Sequence, residues 1–128
     1  MSYQKVIIVG NLGRDPELRY TANGTAVCNL SVAVNKTYRN SDDENVEETS
    51  WFRVAVWDRQ AEVAAQYLKK GRQVLVEGTM ISDQDTGGPK VWEDSSGNAR
   101  ASHEVRAVAI KFLDSRPQES GEEMEAEW

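Results

Sequence analysis

A single cysteine, Cys28, rules out an intramolecular disulfide, and a single histidine, His103, leaves too few soft ligands for the usual zinc sites. A cytoplasmic setting is the natural expectation for such cysteine usage. No run of eighteen apolar residues occurs, so no membrane-spanning helix is expected. The opening "MSYQKVIIVGNLG" carries one lysine and a four-residue apolar run before glycine, too short for a secretory core. Catalytic signals are equally scarce. His103 lies in a strand-like segment without a Ser or Cys nucleophile motif, and "VGNLG" is a tight turn with no Gly-Lys-Ser/Thr after it. No enzyme activity, cofactor or metal is expected.

What the chain does have is charge, unevenly placed. The net charge of −6 is concentrated in two stretches, residues 38–50 at −4 and residues 114–128 at −5, which leaves +3 for the rest of the 128 residues. An acidic loop and an acidic tail thus conceal a mildly basic body. The sign of the total is no argument against a polyanionic partner.

Period-two alternation dominates the body. "TAVCNLSVAVNK" places Ala26, Cys28, Leu30, Val32 and Val34 on one face, so Cys28 is read as a buried small hydrophobe. "YQKVIIVGNL" is a first strand, "TSWFRVAVW" a third, and the polar segment after Tyr38 a long hairpin loop between the second and third. The period then changes. "DRQAEVAAQYLKKG" predicts a helix capped by Asp58, with Ala61, Ala64, Tyr67 and Leu68 on one face, Lys69 and Lys70 at its end and Gly71 stopping it. "QVLVEGTMI" and "ASHEVRAVAIKFL" are further strands, with "PKVWED" and an "SSGN" turn between them. Apolar periodicity fades from Asp114 onward, which predicts a short disordered acidic tail. The expected fold is all-β: a five-stranded barrel of the oligonucleotide-binding (OB-fold) type over residues 1–113, with one helix between strands three and four, followed by the tail at 114–128.

A small barrel has one interior. Phe52, Val54 and Val56 fill it from the third strand, so Trp51, Arg53, Ala55 and Trp57 must face outward. Strand rise separates the two tryptophans by roughly 20 Å. Tyr38 at the end of the second strand and Trp92 in the later hairpin complete a set of four aromatics. Each has a basic neighbour: Arg39, Arg53, Arg59 or Lys90. Bases stack on aromatic faces whatever the sequence, while arginine and lysine track phosphates, so the set reads as a platform for single-stranded nucleic acid.

Three segments then carry a family resemblance: "VIIVGNLGRDPELRYTANGTAV", "ETSWFRVAVWDRQAEVAAQYLKKG" and "VLVEG" resemble those of bacterial single-stranded DNA-binding proteins, over residues 3–113. The resemblance implies an OB fold, a homotetramer and sequence-tolerant binding of single-stranded DNA in replication, recombination and repair, in a cytoplasmic, nucleoid-associated protein. It implies base stacking by Tyr38, Trp51, Trp57 and Trp92, and phosphate contacts by Lys5, Arg19, Arg53, Arg59 and Lys70. This chain departs from the pattern at Tyr38, where some members have tryptophan, at Phe52, where some have histidine, and at Asp58, where glycine is common.

The tail departs most, ending "EEMEAEW" rather than in a long linker and an Ile-Pro-Phe-like tip. Glu122, Glu123, Glu125, Glu127 and Trp128 still suit capture of an acidic, aromatic-ended peptide by DNA-metabolism proteins. A solubilising tail is the plainer alternative. The competing functional classes are an OB-fold protein-interaction subunit, whose aromatics would be hot spots for another protein, and a specialised relative serving replication restart or DNA uptake.

Overall fold

Burial of one face per strand sets the architecture. The computed structural model describes residues 1–113, and in them the chain forms β1 (Val6–Leu12), β2 (Glu17–Tyr20), β3 (Ala26–Arg39), β4 (Asn45–Trp57), α1 (Arg59–Tyr67), β5 (Gln73–Met80), β6 (Val91–Glu93), β7 (Ala99–Ala101) and β8 (His103–Phe112). One sheet has the order β1-β5-β8-β4-β3-β2. β1 also pairs with β3 through Asn11↔Ala33 and Leu12↔Val32, which closes β1, β5, β8, β4 and β3 into a five-stranded barrel. The β4–β8 pair is parallel, whereas the others are antiparallel. β6 and β7 form a separate two-stranded hairpin.

The inward rows are the ones the alternation predicts. Cys28, Leu30 and Val32 from β3, Val54 and Val56 from β4, Val74 and Val76 from β5, and Val105 from β8 are all fully buried. β-branched side chains of this kind pack well on a pleated surface. Burial pushes the Cys28 thiol up to about 11, with the Glu17 carboxylate adding to the effect. Closure also needs backbones to come close. At Gly10 a Cβ would lie 2.3 Å from the Ala33 carbonyl oxygen, and at Gly78, beside the register shift in β5, 2.0 Å from that of Arg106.

α1 covers the barrel between the third and fourth barrel strands and buries Ala61 and Ala64. It is shorter than the sequence predicts. It ends at Tyr67, Leu68 is already extended, and Lys69 and Lys70 follow it rather than form its last turn. Leu68 is buried with Ala61 and Ala64, but Tyr67 is exposed. Nor does Asp58 cap the helix by its side chain: its φ of 62° and ψ of −138° lie outside the extended region an N-cap uses. Gly71 does adopt a positive φ, 92°, but four residues beyond the helix proper.

Two further differences concern strands. β2 pairs with β3 from Glu17↔Asn29 to Tyr20↔Ala26, yet all four of its residues are exposed, so it leaves no burial pattern in the sequence. The long loop expected after Tyr38 shrinks to residues 40–44, with β3 and β4 running in register out to Arg39↔Asn45. Their outer halves are solvated on both faces and are joined by polar cross-strand contacts, Thr49 Oγ1 donating to Asn35 Oδ1 at 2.8 Å and Lys36 facing Glu48 at 3.7 Å. The residues expected to form the acidic tail, 114–128, lie outside the described residues.

Candidate nucleic-acid interface

β4 positions the central aromatics. Its inward residues fix the register, so Trp51, Arg53, Ala55 and Trp57 stand on the outer surface. β3 sets Ala33 opposite Trp51, Ser31 opposite Arg53, Asn29 opposite Ala55 and Val27 opposite Trp57. Ala33 and Ser31 are small, and Trp51 remains 52% exposed. Its six-membered ring lies over Gly13, where a Cβ would approach within 2.5 Å of Cζ3. Gly13 therefore gives the indole a backbone bed that any other residue would obstruct.

On the opposite flank, β8 runs parallel to β4 and pairs Glu104 with Arg53 and Arg106 with Ala55. The Arg106 guanidinium carbon lies 5.6 Å from the Trp57 ring centroid, a cation–π contact. Glu104 Oε2 lies 3.9 Å from Arg53 Nη1. Trp57 lines a cleft of about 380 Å³ together with Arg14, Arg19, Arg53 and Glu104. Arg14 is held there by donating to Ser31 Oγ at 3.3 Å.

Trp92 sits on β6, opposite Arg100 of β7, and is 40% exposed. Although its hairpin is separate from the barrel sheet, Trp92 joins Lys90, Arg53 and Glu104 around a second cleft of about 380 Å³. Arg53 and Glu104 therefore border both clefts, and Trp57 and Trp92 lie on either side of them. The hairpin is tied internally by Arg100 Nε donating to Asp94 Oδ2 at 2.8 Å, which together with backbone donors holds the Asp94 carboxyl below the usual carboxylate range.

The remaining predicted residues are more dispersed. Tyr38 stands on the outer half of β3, 41% exposed, with Lys36 Nζ 5.6 Å from its ring centroid. Neither Tyr38 nor Trp51 lines the two clefts. Lys5, Arg59 and Lys70 do not line them either. Lys5 is paired with Glu77, whose hydrogen bond raises the lysine pKa, so a phosphate there would compete with a carboxylate. Arg59 opens α1, and Lys70 uses its backbone N–H to reach Asp15 Oδ1 at 2.8 Å. Arg14 and Arg106 are the cations the sequence reading missed. Alternation around buried Val105 places Arg106 outward, but its meeting with Trp57 depends on the β4–β8 pairing, which has no local signal.

With this geometry described, comparison with known proteins is specific. Residues 3–113 match the Single-strand binding protein family. A single-stranded DNA-binding protein of Neisseria meningitidis is 40% identical over 121 residues, 94% of this chain, and the match spans 66% of that protein's length. The Thermotoga maritima single-stranded DNA-binding protein is 40% identical over 125 residues, covering 98% of this chain and 84% of that one. Among solved structures, a Plasmodium falciparum SSB complex with ssDNA superposes with a TM-score of 0.72 at 25% identity, covering 89% of this chain and 97% of the other. A deletion mutant of the single-stranded DNA binding protein from Thermus aquaticus gives 0.68 at 28% identity, over 88% of this chain and 51% of that one. An OB barrel shared with these structures, together with the match over residues 3–113, means that this chain belongs to the Single-strand binding protein family.

Proposed function

We propose that this chain binds single-stranded DNA with little regard to sequence, protecting and organising exposed strands in replication, recombination and repair, and that it does so without catalysis. The carrying observation is the outer face of β4 and β8, where exposed Trp51 and the Arg106-backed Trp57 flank Arg53. Family membership and the ssDNA in the Plasmodium complex support the same reading.

Two forces divide the work. Bases stack on Tyr38, Trp51, Trp57 and Trp92, each contact contributing about 1–3 kcal/mol by alanine substitution. Ordering a flexible strand offsets much of that sum. Phosphates meet Arg19 and Arg53 along the cleft, joined by Arg14 and Arg106, with Lys5, Arg59 and Lys70 as more distant contacts. Each phosphate contact contributes a salt slope of about −0.7 for single strands. Duplex DNA keeps its base faces inside the helix and binds far more weakly.

Assembly as a homotetramer is part of this proposal. Outward-facing Ile7 and Val9 of β1 and Val108 of β8 are exposed apolar residues that a second copy would cover. The terminal residues Glu122, Glu123, Glu125, Glu127 and Trp128 are proposed to recruit DNA-metabolism proteins.

Trp57→Ala tests the stacking term. Fluorescence anisotropy with labelled oligo-dT is expected to show a loss of about 1–3 kcal/mol, with the far-UV spectrum of the barrel unchanged. Full affinity in a folded Trp57→Ala protein would mean that Trp57 only packs, and the platform reading would lose its central ring.

A further inference from the structure

We propose that Glu104 reads the edge of a bound base and favours cytosine, which carries an amino group, over thymine. This rests on the reading of the β4–β8 face as a single-strand groove and concerns which bases that groove prefers.

Glu104 occupies the junction of the site. Three clefts open on it: the one with Trp57, the one with Trp92 and Lys90, and one beneath the segment from Ile81 to Asp85. Its side chain is only 17% exposed, against 55% for Arg53. Among the described residues its one polar partner is Arg53, at 3.9 Å, beyond the range of a direct hydrogen bond. A carboxylate accepts several N–H donors, and most of that capacity is unused here.

Such a group is ill suited to phosphate. The other charged residues lining the two clefts that hold the tryptophans are Arg14, Arg19, Arg53 and Lys90, with Glu17 the one other carboxylate among the described residues; Asn29 and Ser31 add neutral polar groups. In a groove that only tracked a polyanion, Glu104 would repel the ligand. What a carboxylate does accept is an N–H on a base edge. A base stacked on Trp57 or Trp92 turns its edge away from the ring. Cytosine presents its N4 amino group as a donor there, whereas thymine presents the O4 acceptor, which meets the lone pairs of Glu104. Partial covering of Glu104 lowers the local dielectric and sharpens that difference. Arg53 remains free to follow the phosphate or to hold the carboxylate in place.

The test compares oligo-dC and oligo-dT of equal length, titrated against the full-length wild type, Glu104→Gln and Glu104→Leu at one salt concentration. Losing the negative charge strengthens binding of both strands through their phosphates, while the amino contact is lost for oligo-dC alone. The ratio of oligo-dC to oligo-dT affinity is therefore expected to fall about five-fold or more in Glu104→Leu. Glu104→Gln keeps one acceptor oxygen for cytosine but adds an amide donor for thymine O4, so its ratio falls as well; it decides the matter alone if the leucine variant does not fold. An unchanged ratio overturns the proposal. If both strands weaken equally, Glu104 serves only to orient Arg53, and if both strengthen equally it is a bystander charge. A wild-type protein that binds neither oligonucleotide defeats the single-strand reading itself, and base reading by Glu104 falls with it.

Discussion

At Trp57, packing and the proposed base stacking use the same ring. β3 places Val27 opposite it, and Arg106 lies 5.6 Å from its centroid, so its position is restricted before any base arrives. Preorganisation of this kind lowers the ordering cost of binding. The tryptophans and Arg53 were legible in the sequence because the buried partners Val54 and Val56 leave the alternate residues no side but the outside. Arg106 was not, since its value comes from a strand about fifty residues away in the chain. Cys28 shows the opposite case, a residue wholly decided by its alternation. With its thiol pushed up from 9.0 to about 11 by burial, the folded state favours the protonated form. The associated stability is fully present below pH 9 and is lost as pH rises toward 11. A thiol reagent at pH 8 is expected to leave the native protein unmodified and to react fully in denaturant. The stability advantage of wild type over Cys28→Ala, from urea melts, should shrink between pH 9 and 10.5. Rapid labelling of the native protein would place the thiol outside the core.

Elements were legible where one face is buried and obscure where neither is. β3 alternates in burial from Cys28 to Ala33, with Val27 also buried at its start, and then continues without alternation to Arg39, paired with an exposed stretch of β4. There cross-strand pairs such as Thr49 with Asn35, rather than a hydrophobic pattern, carry the ladder. The junction from β4 to α1 has its own demand. Asp58 donates its N–H to the Ala26 carbonyl at 2.9 Å while holding φ at 62°. That conformation is disfavoured for a residue with a Cβ and open to glycine. Asp58→Gly is expected to raise stability by about 1 kcal/mol in urea unfolding. The same change removes a carboxylate between Trp57 and Arg59, so oligo-dT binding at low salt should tighten. A destabilised Asp58→Gly protein would show that the aspartate side chain contributes more than its backbone costs.

The whole molecule carries a net charge of −6 around a body whose proposed binding face is basic. Its five-stranded count and single helix followed from periodicity, but the strand order did not, because the β1–β3 closure and the parallel β4–β8 pair join segments with no sequence proximity. Charge placement leads to a prediction at this scale. Residues 114–128 hold −5, and an acidic segment tethered beside a basic face is expected to compete with DNA for it. Deleting them should tighten oligo-dT binding at low salt and have little effect at high salt, as read by anisotropy; equal affinities at low salt would remove tail competition. The most direct test of single-strand stacking is intrinsic tryptophan fluorescence, titrated with oligo-dT and with duplex of matched length at low and high salt. Strong quenching by oligo-dT that largely survives salt, with little response to duplex, is the predicted result. A folded protein whose tryptophans are unaffected by oligo-dT would contradict it and mark those rings as a surface for protein.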